Sequence, residues 1–173
     1  MKIITKAALT ILLSFAFIAS STGFSQNPDE SHESDIRKFM VSTGFVPAFK
    51  YGIDLEVKRI GRSTPELDAI LAMPNEKIVA ALIPVFKSQL PPEEAKIVAN
   101  FYSTESGKRI SEQQMASLDN PNPTIKLTPD QKREYEIFAA SKGGKALEQF
   151  GLFQQSDAFW QLVEEALKQA SRN

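Results

Sequence analysis

The chain has 173 residues, of which 21 are acidic and 20 basic, with one histidine and no cysteine. Without cysteine, the chain has no disulfide, no thiol nucleophile and no lipid anchor attached through an N-terminal cysteine. The balance of charges lacks the strongly basic face of a nucleic-acid-binding protein and the polybasic patch of a membrane-surface protein. We therefore expect no nucleic-acid partner.

Residues 1–25 have the pattern of a secretory signal peptide. Lys2 and Lys6 precede the apolar run AALTILLSFAFIA, and small residues follow it. The run is shorter than the about 20 residues of a membrane span. Cleavage could follow Ser21 or Ser25; we favour the second site, which leaves Gln26 first. Removing residues 1–25 leaves 148 of the 173 residues, which is enough for one domain. We expect no transmembrane anchor after cleavage.

After the signal peptide, the segment 26–34 is polar, and we predict that it is flexible and precedes a helical domain at 35–173. From residue 35 on, apolar residues recur at spacings of three and four, which is typical of helices, and no run alternates like a strand. Gly44 and Gly61 are predicted to end the first two helices. Pro84 predicts a kink in the fourth helix.

Short polar motifs mark further helix boundaries. Ser63 or Thr64 is expected to cap the third helix, and Thr128 is expected to cap a later one through a Thr-x-x-Gln box. The run DNPNP at 119–123 predicts a loop. A short helix is predicted at 145–150, and a last helix is predicted to start after Ser156. The predicted fold is therefore all-α, a single-domain bundle of about seven or eight helices.

The stretch Leu90–Ile110 returns in degraded form 37 residues later, as Leu127–Leu147. Each copy predicts a helix with proline in its first turn, an inward-facing aromatic residue, a Ser/Thr-Gly break and a second helix. This is an internal helix-break-helix repeat. The motif residues that we interpret as structural are Phe101, Tyr102, Gly107, Phe138 and Gly144.

The motif FYSTESGKRI at 101–110 resembles the hallmark of a family of exported bacterial proteins, the domain of unknown function 2059. That family pairs an aromatic dipeptide with Ser/Thr-x-x-Gly-Lys/Gln after a helix opened by a Leu-Thr/Pro-x-Glu-like start, which is matched here from Leu90 to Glu93. Many members have a proline after the Ser/Thr, which this chain lacks. The resemblance implies an all-helical periplasmic domain. It transfers no catalytic residue, because the family has no established reaction.

Side chains that could carry chemistry are few. His32 is the only histidine and lies in the segment predicted to be flexible, so we interpret it as solvated rather than as a catalytic base or metal ligand. Adjacent acids on a helix point about 100° apart and do not converge. This applies to two pairs, Glu93 with Glu94 and Glu164 with Glu165. No catalytic residue, metal site or cofactor is therefore predicted.

Two lysines and one tryptophan remain as candidates. Lys108 and Lys145 each follow a motif glycine, where a helix N-terminus could bind an anion. The alternative for both is an exposed lysine in a first helical turn. Trp160 is expected in the core, the alternative being an exposed anchor.

The leading hypothesis is a non-enzymatic periplasmic protein that binds an unknown protein or other envelope macromolecule. An alternative is an envelope hydrolase, or a modulator of one, that would use Glu93, Glu94 or Glu105 in one cleft. A third hypothesis is a carrier that holds a small apolar ligand between its helices.

Overall fold

The computed structural model describes residues 28–119 and 126–172. Over these residues the chain is all-α, with nine helices and no strand. The helices are α1 (Pro28–Ser42), α2 (Phe45–Ile60), α3 (Pro65–Ala72), α4 (Asn75–Lys87), α5 (Pro92–Tyr102), α6 (Glu105–Asp119), α7 (Pro129–Ala139), α8 (Lys142–Gln154) and α9 (Asp157–Arg172). The all-α prediction is confirmed, and the number of helices is one above the predicted range. The predicted signal peptide and its cleavage sites, and the predicted loop beyond Asp119, lie outside the described residues.

Helix boundaries follow the local signals in the sequence. Gly44 and Gly61 adopt the left-handed conformation, with φ of 64° and 73°, after α1 and α2. This is the backbone geometry that glycine tolerates best. The Thr64 side chain accepts a hydrogen bond from the Leu67 backbone N–H. The predicted Thr-x-x-Gln capping box at Thr128 is also present. These predictions are confirmed.

Three predicted boundaries are wrong. Helix α1 begins at Pro28, so most of the segment 26–34 that was predicted to be flexible is helical. Acidic residues in its first turn favour this start, because the positive end of the helix dipole lies there. Helix α8 begins at Lys142 instead of residue 145, and it runs through Gly151 to Gln154 instead of ending near residue 150. Gly151 and Gln154 are buried, so tertiary packing outweighs the low helix propensity of glycine. Helix α4 is not split at Pro84, and the kink predicted there stays a prediction.

Five helices form the centre of the fold. The pairs that pack are α1 with α5, α5 with α8, α8 with α9, α9 with α4, and α4 with α1, which closes a ring. Each contributes one aromatic side chain that is at most 2% exposed: Phe39, Phe86, Tyr102, Phe150 and Phe159. The rings touch in the order Tyr102, Phe39, Phe86, Phe150 and Phe159, with centroid distances from 4.6 Å for Phe86–Phe150 to 6.3 Å for Phe39–Phe86. Their burial supplies a large apolar contribution to folding.

The other four helices lie on two sides of this ring. Helices α2 and α3 pack beside α4 and α9, and α6 and α7 pack beside α5 and α8. Within the described ranges, no single helix is long and apolar enough to cross a membrane. Taken together, helices α3 and α4 are long and apolar enough for a membrane span, but they are bent by 106° at their junction.

Candidate functional site

The turn between α5 and α6 is the first of two corners built by the repeated motif. The Thr104 hydroxyl donates to the Phe101 carbonyl oxygen at 2.7 Å and accepts from the Gly107 N–H at 3.1 Å. It therefore ties the end of one helix to the start of the next. A Cβ atom at Gly107 would lie 2.2 Å from the Phe101 carbonyl oxygen and 2.5 Å from the Tyr102 Cα atom. Only a glycine fits there without moving the backbone.

The turn between α7 and α8 repeats this construction. The Ser141 hydroxyl accepts from the Gly144 N–H at 3.1 Å. A Cβ atom at Gly144 would lie 2.4 Å from the Phe138 carbonyl oxygen. The hydroxyl, the glycine and the carbonyl that the glycine approaches are each 37 positions after their counterparts in the first corner. We call these two turns the motif corners.

The two motif corners meet through their aromatic residues. The rings of Phe101 and Phe138 stack with centroids 3.9 Å apart and an angle of 3° between their planes. Tyr102 contacts both rings edge-on. Its burial raises the pKa of the Tyr102 phenol, and the nearby Tyr135 contributes in the same direction. This cluster is therefore an interior contact between the motif corners.

Two further contacts cross between the copies. The Ser106 hydroxyl on α6 donates to the Glu134 carboxylate on α7. Gly143 on α8 lies so close to α5 that a Cβ atom there would be 2.6 Å from the Ile97 Cγ2 atom. Positions 143 and 134 follow positions 106 and 97 by 37 residues. Both contacts therefore join the same two positions of the motif. In one contact the first position comes from the first copy, and in the other it comes from the second copy.

The two candidate lysines lie in the first turns after these corners. Lys108 is exposed and Lys145 is half-buried. Their backbone N–H groups donate to the carbonyl oxygens of Thr104 and Ser141 at 3.0 Å each. Because the glycine N–H groups are also bonded within the corners, an anion would rely mainly on the lysine side chains.

Of the three acids considered for a hydrolase, Glu105 lies far from the adjacent pair Glu93 and Glu94. Glu93 is in the first turn of α5 and its carboxylate is 3.7 Å from the Lys142 ammonium, in an exposed pair. Glu105 begins α6, beyond the whole length of α5, which has 11 residues. At 1.5 Å per residue, the rise from Glu93 to the end of α5 at Tyr102 is about 14 Å along the helix axis. Glu94 is half-buried. In the adjacent acid pair of α9, Glu164 is half-buried and Glu165 is exposed.

The sequence interpretation of His32 is wrong. Its side chain is buried, with a relative exposure of 7%, and its Nε2 atom lies 2.7 Å from the Leu90 carbonyl oxygen. Because a carbonyl only accepts, Nε2 carries the proton in this contact. His32 thus joins the start of α1 to the residue that begins the repeated motif. Its separation of 58 residues from Leu90 explains why no local pattern revealed the contact.

Trp160 is buried in the core, as predicted, and stacks on Phe49 with centroids 6.4 Å apart. Its Nε1 atom and the Oε1 atom of Gln154 are buried with no hydrogen-bond partner among the described residues. Over the same residues, no three His, Asp or Glu side chains form a group that could hold a metal ion. No family model, curated protein or solved structure matches the chain.

Proposed function

We propose that the chain is an exported, non-enzymatic helical protein that acts in the periplasm by binding an envelope macromolecule. Export is supported by the charged, apolar and small-residue pattern of residues 1–25. The observation that carries the binding role is that the repeated residues of the motif serve to build the two motif corners. Its hydroxyls cap helices and its glycines allow close backbone contact, so the motif builds a scaffold. The charged outer faces of the helices are then the surface available to a partner.

The interior of the ring favours this proposal over a ligand carrier. A carrier would hold its ligand between the helices, where the five aromatic rings are packed against one another. A hydrolase is disfavoured by the separation of Glu93 and Glu105, because a carboxylate pair acts on one bond only when both groups reach it.

A capture experiment tests the binding role. The chain from Gln26 to its C-terminus, tagged at the C-terminus, is used to capture partners from envelope extract, and each retained macromolecule is then titrated in purified form. We expect saturable binding that weakens at high salt, because charged faces would form the contact. Lys108→Glu tests the anion-site candidate, with Lys132→Glu as the matched control at another exposed lysine. Capture of nothing specific, together with turnover in an esterase or peptidoglycan-hydrolase screen, would contradict the proposal.

We also propose that the two motif copies form an internal repeat within a single domain, and that the chain belongs to the domain of unknown function 2059 family. The repeat is supported by the matching motif corners and by the exchanged contacts Ser106–Glu134 and Gly143–Ile97. The stack of Phe101 on Phe138 pairs equivalent residues, as expected at a local two-fold axis. A single calorimetric unfolding transition, with equal calorimetric and van't Hoff enthalpies, would support one domain.

A further inference from the structure

Helix α7 is held to the rest of the molecule by much less buried surface than its counterpart α5. Helix α5 buries five side chains, and α7 buries only Phe138 and Ala139, both in its last turn. The side chains of its first two turns are exposed or half-buried. The main packing partners of α7 are α6 and α8, whereas α5 lies within the five-helix ring.

The side-chain contacts between α7 and the first motif corner come from its C-terminal half. Its Phe138 ring contacts Phe101 at 3.9 Å and Tyr102 at 5.8 Å. Its Tyr135 ring contacts Phe101 at 6.2 Å, and its Glu134 carboxylate accepts from Ser106. Its capping box and its Arg133–Asp130 ion pair lie within the helix or at its start, so they stabilise the helix without fixing its position. Once its contacts with α5 and α6 are lost, α7 is an isolated helix of 11 residues, which is only marginally stable in water, so its amides become open to exchange.

We propose that α7 opens as a unit while the five-helix ring stays folded. Opening separates Phe138 from Phe101 and Tyr102, and Glu134 from Ser106. It uncovers the Phe101 ring and the Ser106 hydroxyl at the first motif corner. The free energy of local opening follows the amount of buried contact that is broken, and for α7 that amount is far smaller than for α5.

Native-state hydrogen exchange of the chain from Gln26 tests this proposal. Amides in the last two turns of α7 are compared with those at the equivalent positions of α5, across low denaturant concentrations. We expect the α7 amides to share one exchange rate, at least about 100-fold faster than the α5 amides and nearly independent of denaturant, because local opening exposes little surface. Equal rates and equal denaturant slopes for the two helices would overturn the proposal. Rates graded along α7 would overturn opening as a unit.

Variants of the Ser106–Glu134 contact separate local opening from general loss of stability. Ser106→Ala should speed exchange in α7 about tenfold and leave α5 unchanged, because it removes a hydrogen bond to a carboxylate. Glu134→Gln, at an exposed position where folding is not at risk, should act in the same direction. Ser111→Ala is the matched control, since this buried serine donates to the Gly107 carbonyl within α6. Equal acceleration of α5 and α7 by Ser106→Ala or Glu134→Gln would overturn the proposal.

Discussion

Replacement of the motif glycines by alanine gives the sharpest test of how the motif works. In an ordinary helix, alanine in place of glycine stabilises by about 1 kcal/mol. At Gly107 the added Cβ atom would lie 2.2 Å from the Phe101 carbonyl oxygen, and at Gly144 it would lie 2.4 Å from the Phe138 carbonyl oxygen. The obstructing atoms belong to the backbone, so no side chain can turn away to make room.

The expected cost follows from this geometry. To restore a contact of 3.0 Å at Gly107, α6 must move away from α5 by about 0.8 Å, because the Cβ atom would otherwise lie 2.2 Å from the carbonyl oxygen. Overpacking of this kind costs about 1–3 kcal/mol. We expect Gly107→Ala and Gly144→Ala each to lower the free energy of unfolding by about 2–3 kcal/mol. For a chain of this size, that lowers Tm by about 6–12 °C.

Urea and thermal unfolding of the chain from Gln26 measure these effects. Gly61→Ala is the control, because Gly61 has φ of 73° but nothing within 4 Å of an added Cβ atom. That variant should lose only the about 1–2 kcal/mol of left-handed strain. If Gly107→Ala or Gly144→Ala is as stable as the parent, the close backbone approach does not exist and the motif corner is built in another way.

Three further predictions concern single side chains. Phe101→Ala and Phe138→Ala should each cost about 3–5 kcal/mol, with a coupling of about 0.5–1.5 kcal/mol in a double-mutant cycle; losses under about 1 kcal/mol for both would place the rings in solvent. His32→Ala should cost about 1–3 kcal/mol in urea unfolding, because it leaves the Leu90 carbonyl without its donor, whereas a solvated residue would change stability by under about 0.5 kcal/mol. Burial raises the pKa of Asp35 above its ordinary value of 3.8, against the opposing charges of nearby basic groups. Because the folded-state pKa is raised, the ionised Asp35 carboxylate destabilises the fold at neutral pH, and this cost disappears as the pH falls through the folded-state pKa. Asp35→Asn should therefore raise Tm slightly at pH 7 and have no such effect near pH 3.

The features that could be predicted from the sequence are those whose cause is local. Gly44 and Gly61 end helices because of their own backbone freedom, and Thr64 and Thr128 cap helices through amides three residues away. The all-α class follows from the same short-range spacing. These features need no knowledge of the rest of the fold.

The features that were missed depend on distant contacts. The segment before residue 35 looks polar, but His32 bonds to Leu90, which is 58 residues away, and this contact helps to hold the start of α1. Helix α8 continues through Gly151 because neighbouring helices bury that region. The Ser106–Glu134 hydrogen bond joins two helices across 28 residues, so neither side chain is distinguished by its local pattern.

If the two segments are the proposed repeat, their positions in the fold account for the differences between them. Helix α5 lies within the ring, and its Ala95 and Ala99 are at most 1% exposed. Helix α7 lies at the margin, and the equivalent positions are Lys132 and Glu136, which are exposed. Small side chains are needed where helices press together on both faces, and charged ones suit a face in water. What the copies retain is the stacked aromatic residue and the glycine of each motif corner. On the proposed repeat, the retained motif therefore reflects the construction of a corner between two helices, and any partner-binding residues are to be sought among the side chains in which the copies differ.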